Sequence, residues 1–348
     1  MNTDKEKIIL EVENLKKYYP IRKKAFGKTE EYVKSVDGIS FSVKENTILG
    51  VVGESGCGKS TMGKAILNLI EPTDGRVIYN GKIIYSNDKK ECISKSEMTK
   101  LRGEMQMIFQ DPYASLDPRK SIESIVSEGI KKHSNLTKEE IREKAAEILE
   151  LCGMDRACMV RYPHEFSGGQ RQRIGIARSL AINPKFVVCD EPTAALDVSI
   201  QSQILNLMLD LKEKMGLTYI FISHNFNVVK SFCDEIAVMY LGKIVEYGPA
   251  EKIYKNPKHP YTQALISSVP RNSPDEKKER IRLTGSIPSA VEIPAGCRFS
   301  TRCPYVSDIC RQKEPEGIKL DNDRTVYCHL YKQTIENKNN IDVEDKIY

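Results

Sequence analysis

The stretch Gly53-Glu54-Ser55-Gly56-Cys57-Gly58-Lys59-Ser60-Thr61 fills every fixed position of the pattern G-x-x-x-x-G-K-[ST]. Those residue types fit one chemistry, the cradling of a polyphosphate. Glycines let successive backbone N–H groups turn inward around an anion without Cβ clashes. A helix starting at the end of the stretch adds partial positive charge. Lys59 is expected to reach the β- and γ-phosphates of a nucleoside triphosphate, and the Ser60 hydroxyl to bind Mg²⁺. A second polar pair, Asp190-Glu191, closes the apolar run Phe186-Val187-Val188-Cys189. An Asp at such a strand tip can complete the Mg²⁺ shell, and the adjacent Glu191 can orient or deprotonate an attacking water.

These groups need elements to position them. Ile48-Leu49-Gly50-Val51-Val52 reads as a buried strand leading into the glycine-rich turn. The residues after Thr61 carry apolar side chains at helical spacing. Strands are also expected at 8–19, 36–43, 105–109, 185–191 and 217–222. The pairs 76–79/82–85 and 235–240/243–247 read as hairpins, about Asn80-Gly81 and Leu241-Gly242. Residues 20–35 read as a basic loop and 86–100 as polar and poorly patterned. From Ser121 to about Cys152 the spacing is helical, with Thr137 and Glu140 placed as a capping box. Helices are expected from Ser167 through Leu180, over 199–215 and over 226–233. The sum is an α/β fold, a P-loop NTPase core with an antiparallel β subdomain and a helical subdomain at about 115–165.

Composition sets the limits. The chain has 348 residues, 40% hydrophobic and 29% charged, as in a soluble globular protein. No window approaches the roughly 18 consecutive apolar residues of a membrane span, and the N-terminus lacks the layout of a secretory signal. A cytosolic location is expected, with any membrane role supplied by a partner. The net charge of +5, from 53 basic and 48 acidic residues, gives no argument for nucleic acid. Of ten cysteines, six (Cys57, Cys92, Cys152, Cys158, Cys189, Cys233) lie singly and are expected to be reduced.

Ser167-Gly168-Gly169-Gln170, after Phe166 and before Arg171, looks like the signature of the ATP-binding subunits of ABC transporters. The resemblance spans about residues 8–248 and implies a head-to-tail dimer. In it, each ATP is sandwiched between the phosphate loop of one subunit and the signature of the other. Further residues fit in order. Tyr19 matches the aromatic that stacks on adenine, with Tyr18 as the fallback. Gln110 matches the loop glutamine that contacts Mg²⁺ and the water. Ala195-Leu196-Asp197 resembles the loop facing the opposite subunit, although the family more often has Ser where Ala194 stands. His224 matches the switch histidine at the γ-phosphate. The resemblance thus implies ATP hydrolysis, with Glu191, His224, Lys59 and Gln110 catalytic and Ser60, Gln110 and Asp190 organising Mg²⁺.

The cargo class is suggested further along. Gln110-Asp111-Pro112-Tyr113 and His259-Pro260-Tyr261 resemble segments of oligopeptide and dipeptide importers, whose relatives take nickel or glutathione. Prolines become frequent from Pro249 onward, so an ATP-binding domain at 8–250 and an extension at 251–332 are expected, with 333–348 a disordered tail. The implied partners are a second ATPase subunit (a paralogue is favoured), two transmembrane permease subunits and, indirectly, an extracellular peptide-binding protein. The implied site of action is the cytoplasmic face of the membrane. A soluble ABC ATPase of translation or DNA repair is the rival; such chains usually carry tandem cassettes or a long coiled-coil insert. Cys297, Cys303, Cys310 and Cys328 form a four-thiol set in the extension. Their loose spacing suits a [4Fe–4S] cluster, which some members with this tail carry, better than the tighter pairs of zinc sites. Zinc and packed free thiols are the alternatives.

Overall fold

A computed structural model describes residues 7–21, 31–269, 281–283, 285, 288–321 and 323–332. The expected tail at 333–348 lies outside the described residues. In chain order the elements are β1 (Ile8–Pro20), β2 (Tyr32–Lys44), β3 (Ile48–Val52), α1 (Lys59–Ile66), β4 (Asp74–Tyr79), β5 (Lys82–Ser86), α2 (Lys95–Leu101) and β6 (Met105–Ile108). There follow α3 (Pro112–Ser115), α4 (Ile122–His133), α5 (Lys138–Leu151), α6 (Gly168–Leu180), β7 (Phe186–Asp190), α7 (Val198–Met215), β8 (Thr218–Ser223) and α8 (Phe226–Phe232). The chain ends with β9 (Glu235–Tyr240), β10 (Lys243–Pro249), α9 (Ala250–Lys255), α10 (Pro260–Ser267), α11 (Asp308–Gln312), β11 (Ile318–Asp321) and β12 (Arg324–Val326).

The strands form two sheets among the described residues. The smaller is antiparallel, in the order β2-β1-β4-β5. The larger runs β11-β12-β10-β9-β3-β8-β7-β6, and its members from β9 to β6 are parallel. Every residue of β3, β7 and β8 is buried, as expected when both faces of a parallel sheet are covered. The two faces feed two cores. Ile48, Val52, Val187, Cys189, Tyr219 and Phe221 pack toward α4–α7. Leu49, Val51, Phe186, Val188, Ile220 and Ile222 pack toward α1 and the antiparallel sheet. That split is the period-two alternation of a strand made physical.

Two stretches differ from the sequence expectation. Within 86–100, α2 forms on a capping box: Ser94 and Glu97 exchange backbone and side-chain hydrogen bonds. Only Met98 and Leu101 bury from this helix, too few for a readable apolar stripe. At the other site, β1 continues to Pro20 and β2 begins at Tyr32, so strand pairing reaches Pro20↔Tyr32 at both ends of the expected loop.

The chain passes residue 250 without leaving the large sheet, because β12 pairs antiparallel to β10 at Glu246↔Val326 and Tyr247↔Thr325. Around that junction lies a buried ion pair. The Arg324 guanidinium donates to Glu246, whose carboxylate also accepts the N–H groups of Lys258 and His259 at 3.0 Å each. The Glu246 and Arg324 side chains are 0% and 3% exposed.

Candidate functional site

Four parallel strands deliver the candidate residues to one edge. β3 ends in the phosphate loop, β8 leads to His224, β7 ends at Asp190 and β6 leads to Gln110. Their register, Val52↔Ser223, Asp190↔Ile222 and Ile108↔Cys189, brings these ends level. Ligands of open α/β sheets bind outside the carboxyl ends of the strands, and an open cleft of about 450 Å³ lies there. Ser35, Ser55, Gly56, Gly58, Lys59, Ser60, Thr61, Gln110, Glu191 and His224 line it. Ser35, contributed by the antiparallel sheet, carries no sequence signal of its own.

The loop is shaped for an anion. Gly58 has φ +104°, and a Cβ there would meet the Ser35 carbonyl oxygen at 1.9 Å. No other residue type fits without moving the β2 backbone. Lys59 is 4% exposed. Its Nζ donates to the carbonyls of Gly53 and Glu54 at 2.8 and 3.0 Å, and among the described residues it has no carboxylate partner. With Cys57 Sγ 3.9 Å away as a third neighbour, this buried ammonium is held only by neutral groups and is unsatisfied in charge, so the site fits a phosphate. Cys57 is buried and its thiol is pushed up by that burial, despite nearby Lys59.

The donors for a divalent cation meet beside the loop. The Ser60 hydroxyl donates to Asp190 Oδ1 at 2.6 Å. Burial raises the Asp190 carboxyl above its ordinary range, and the Ser60 hydrogen bond opposes that shift. A cation here would replace the hydroxyl proton as Asp190's partner, and the pair fits Mg²⁺ held through two hard oxygens.

Across the cleft, Glu191 Oε2 accepts from Gln110 Nε2 at 3.2 Å and lies 3.0 Å from His224 Nδ1. Glu191 itself sits at φ +45°, an uncommon conformation for a non-glycine residue. Its N–H donates to the Ile222 carbonyl at 3.0 Å, which ties the residue to β8 in that conformation. The His224 ring is 58% exposed, whereas Glu191 is 13% exposed. The carboxylate is therefore fixed from behind while the imidazole can swing.

Ser167–Gln170 lies elsewhere. Ser167 caps α6, with Ser167 N–H donating to Gln170 Oε1 at 3.0 Å and Gln170 N–H to Ser167 Oγ at 3.4 Å. A Cβ on Gly169 would approach Ile200 Cγ2 to 2.6 Å, so the turn packs tightly on the start of α7. None of its residues lines this chain's own cleft. Tyr19 is 39% exposed with Lys17 Nζ 5.0 Å from its ring. Tyr18 is engaged: its hydroxyl donates to Asp37, which also pairs with Arg298.

The four tail thiols gather without touching. Each of Cys297, Cys303 and Cys328 feels others of the set electrostatically, and burial pushes Cys297 up to about 11 and Cys328 up to about 12. Cys310 Sγ is 3.3 Å from Ser307 Oγ. All four are free thiols, and among the described residues no three His, Cys, Asp or Glu side chains are placed to hold a metal ion. No described helix is long and apolar enough to cross a membrane.

Comparison with known proteins agrees with this geometry. Residues 36–194 match the family model "ABC transporter", and residues 245–310 match "Oligopeptide/dipeptide transporter, C-terminal region". The oligopeptide transport ATP-binding protein AppF of Bacillus subtilis is 49% identical, over 95% of this chain and 100% of that one. The dipeptide transport ATP-binding protein DppF of Escherichia coli is 46% identical, over 93% of this chain and 95% of that one. Among solved structures, cbiO1 of Clostridium perfringens, part of the ABC transporter complex cbiONQ, aligns with a TM-score of 0.60. It is 28% identical and covers 72% of this chain and 92% of its own. The dimeric ATP-binding cassette MJ0796 bound to ADP and Pi aligns with a TM-score of 0.59, also at 28% identity, over 70% and 99%. The α/β core with its phosphate loop thus has the ABC ATPase fold and binds and hydrolyses ATP with Mg²⁺, and the chain belongs to the ABC transporter ATP-binding proteins, in the branch that carries the oligopeptide/dipeptide C-terminal region.

Proposed function

We propose that this chain is the ATPase subunit that powers uptake of oligopeptides or dipeptides through a membrane ABC complex. The observation that carries the catalytic part is the convergence of Gln110 and His224 on one oxygen of Glu191, opposite Lys59 and Ser60. In this reading Glu191 positions or deprotonates the attacking water. Lys59 and His224 stabilise γ-phosphate charge, and Ser60, Asp190 and Gln110 organise Mg²⁺. The exposed Tyr19 stacks on adenine. The backbone of Gly53–Thr61 cradles the phosphates. Ser167, Gly168, Gly169 and Gln170, at a helix start outside this chain's cleft, act on the ATP of a second ATPase subunit.

Residues 8–250 act as the cassette and 251–332 as an extension of it. A groove of about 370 Å³ between α4 and the core, lined by Leu69, Phe109, Arg102 and His133 among others, suits a helix of a permease subunit. In this reading the chain works at the cytoplasmic face of the membrane, as the resemblance to the importers implies. The second ATPase, in the same reading, is a paralogue, as the resemblance to the peptide importers implies. The peptide cargo rests on the names of the relatives and on the matched C-terminal region.

The four-thiol set is the candidate site of a [4Fe–4S] cluster, supported by the donor chemistry of four thiols in one short segment, although as placed they do not form a metal-binding group. Binding requires the thiols to draw closer and lose protons. Iron and acid-labile sulfide analysis of anaerobically purified protein tests it. For the transport reading, membrane vesicles loaded with ATP and carrying the whole complex should accumulate labelled dipeptide. Accumulation of nickel or glutathione instead would change the cargo. Failure of any integral membrane protein to co-purify would sink the transporter role.

A further inference from the structure

The phosphate loop is gripped from outside as well as from within. Arg302 Nη1 and Nη2 donate to Glu54 Oε2 and Oε1 at 2.8 and 3.1 Å, a fork-to-fork pair. The Arg302 side chain is 8% exposed and that of Glu54 24%. Arg302 lies on the turn that joins Cys297 to Cys303, and its N–H donates to the Phe299 carbonyl at 3.0 Å. The same loop residue is held a second time, because the Glu54 N–H donates to the Tyr261 hydroxyl at 2.9 Å. Glu54 is thus fixed by its carboxylate and by its backbone, each time by a residue of the extension.

Tyr261 is itself rigidly mounted. It sits at the start of α10, capped by His259, whose Nδ1 accepts the Tyr261 N–H at 3.1 Å. Its ring packs on Tyr240 at 4.7 Å and on Phe299 at 5.4 Å between centroids. The His-Pro-Tyr segment therefore works as a strut that carries one hydroxyl to the phosphate loop.

Glu54 is the only carboxylate in Gly53–Thr61, a loop that must accept a polyanion. It does not line the cleft. Like charges repel strongly where water is partly excluded. We propose that Arg302 and Tyr261 are positioning residues for ATP, holding and neutralising Glu54 so that the loop presents only its N–H groups and Lys59 to the phosphates. The proposal rests on the ATP-hydrolysing reading of the cleft. Neither residue touches the nucleotide site directly. Both act through Glu54.

The test uses the full chain in its transporter complex and reads ATP Kd by titration, steady-state KM and kcat, and thermal melting. Arg302→Gln should weaken ATP binding at least about tenfold, with the loss falling on KM rather than kcat. Adding Glu54→Gln to it should restore Kd to within about threefold of the parent, because no carboxylate remains to be released. Tyr261→Phe should raise Kd a few-fold by leaving the Glu54 N–H without its acceptor. If Arg302→Gln does not fold, Arg302→Lys keeps the charge, loses the fork and should show a smaller shift that Glu54→Gln again reverses. A parent-like Kd in the arginine variants overturns the proposal. So does a loss that Glu54→Gln leaves unrescued, which would make Arg302 a packing element alone. If the unmutated complex neither binds nor turns over ATP, the ATPase reading itself fails, and that outcome is read before any variant.

Discussion

The two ends of the large sheet use the same side-chain chemistry for opposite purposes. At the cleft, Ser60 bonds to Asp190, and Gln110 and His224 bond to Glu191. These are short-range contacts among groups that a nucleotide and its cation would take over, and His224 is more than half exposed. Where the extension meets the cassette, Arg324–Glu246 and Arg298–Asp37 are buried pairs with further backbone partners. The first set is built to exchange partners and the second to keep them. Substitutions should therefore cost turnover at one end and folding at the other.

The largest effect should come from the cleft. Glu191→Gln keeps the shape of the side chain and an oxygen that Gln110 can reach, but removes the charge that orients or deprotonates water. Turnover should fall about 10²–10⁴-fold while ATP still binds. A closed dimer should accumulate with ATP, visible by size-exclusion chromatography, and melting should hardly change. Hydrolysis at the parent rate would remove Glu191 from the water-activating role.

The extension should answer in the other currency. Glu246→Ala leaves the Arg324 guanidinium buried without its carboxylate and strips the acceptor from the Lys258 and His259 N–H groups. Breaking a buried pair from one side costs about 3–5 kcal/mol. Denaturant titration should show that loss, and kcat per folded molecule should change far less than in Glu191→Gln. A melting curve like that of the parent would mean that the pair is not what anchors β12 to β10.

A pH series sharpens the same contrast. His259 is 1% exposed, and burial lowers its pKa from 6.5 to about 3. Its Nδ1 accepts the Tyr261 N–H, so the ring is neutral with its proton on Nε2. The unfolded chain takes up a proton near pH 6.5 and the folded chain does not until about pH 3. Stability is thus complete above pH 7 and falls as pH drops through that window, by up to about 1.4 kcal/mol per pH unit. His259→Asn keeps a capping acceptor and should flatten that part of the stability curve. An unchanged acid slope in the variant would assign it to other groups.

Much of the cleft was legible in the sequence because its parts are local. Each of β3, β7 and β8 is a short apolar run that ends in a polar pair or a glycine turn, the capping box at Thr137 forms as its spacing implies, and the helix expected from Ser167 starts there. The parallel register that levels those strand ends is what no single stretch carries. Helix α2 illustrates a signal present but overruled: Ser94-Lys95-Ser96-Glu97 is a capping box, yet two buried residues give no stripe to follow it. The extension was the least legible. Arg302 meets Glu54 across 248 residues, and an arginine between two cysteines announces nothing about a phosphate loop. The ion pair of Glu246 with Arg324, 78 residues apart, is hidden for the same reason.

The smallest effect is expected at Cys57, inside the loop but on its buried side. A thiol in a phosphate loop invites a redox or alkylation role, since the thiolate is the reactive form. Here burial raises the thiol against the pull of Lys59, and Cys57 is 4% exposed, so little thiolate forms at neutral pH. Its Sγ lies 2.9 Å from where a Cβ on Gly53 would stand, which marks it as filling rather than chemistry. Cys57→Ala should cost about 1 kcal/mol of stability, in the middle of the range for a small buried truncation. Turnover should stay within about threefold of the parent, a change of less than 1 kcal/mol in barrier height. Iodoacetamide at neutral pH, followed by peptide mass mapping, should label Cys57 more slowly than the partly exposed Cys92. Faster labelling of Cys57, slowed by added ATP, would instead make the loop thiol accessible from the cleft and move it from the fixed set of contacts to the exchangeable one.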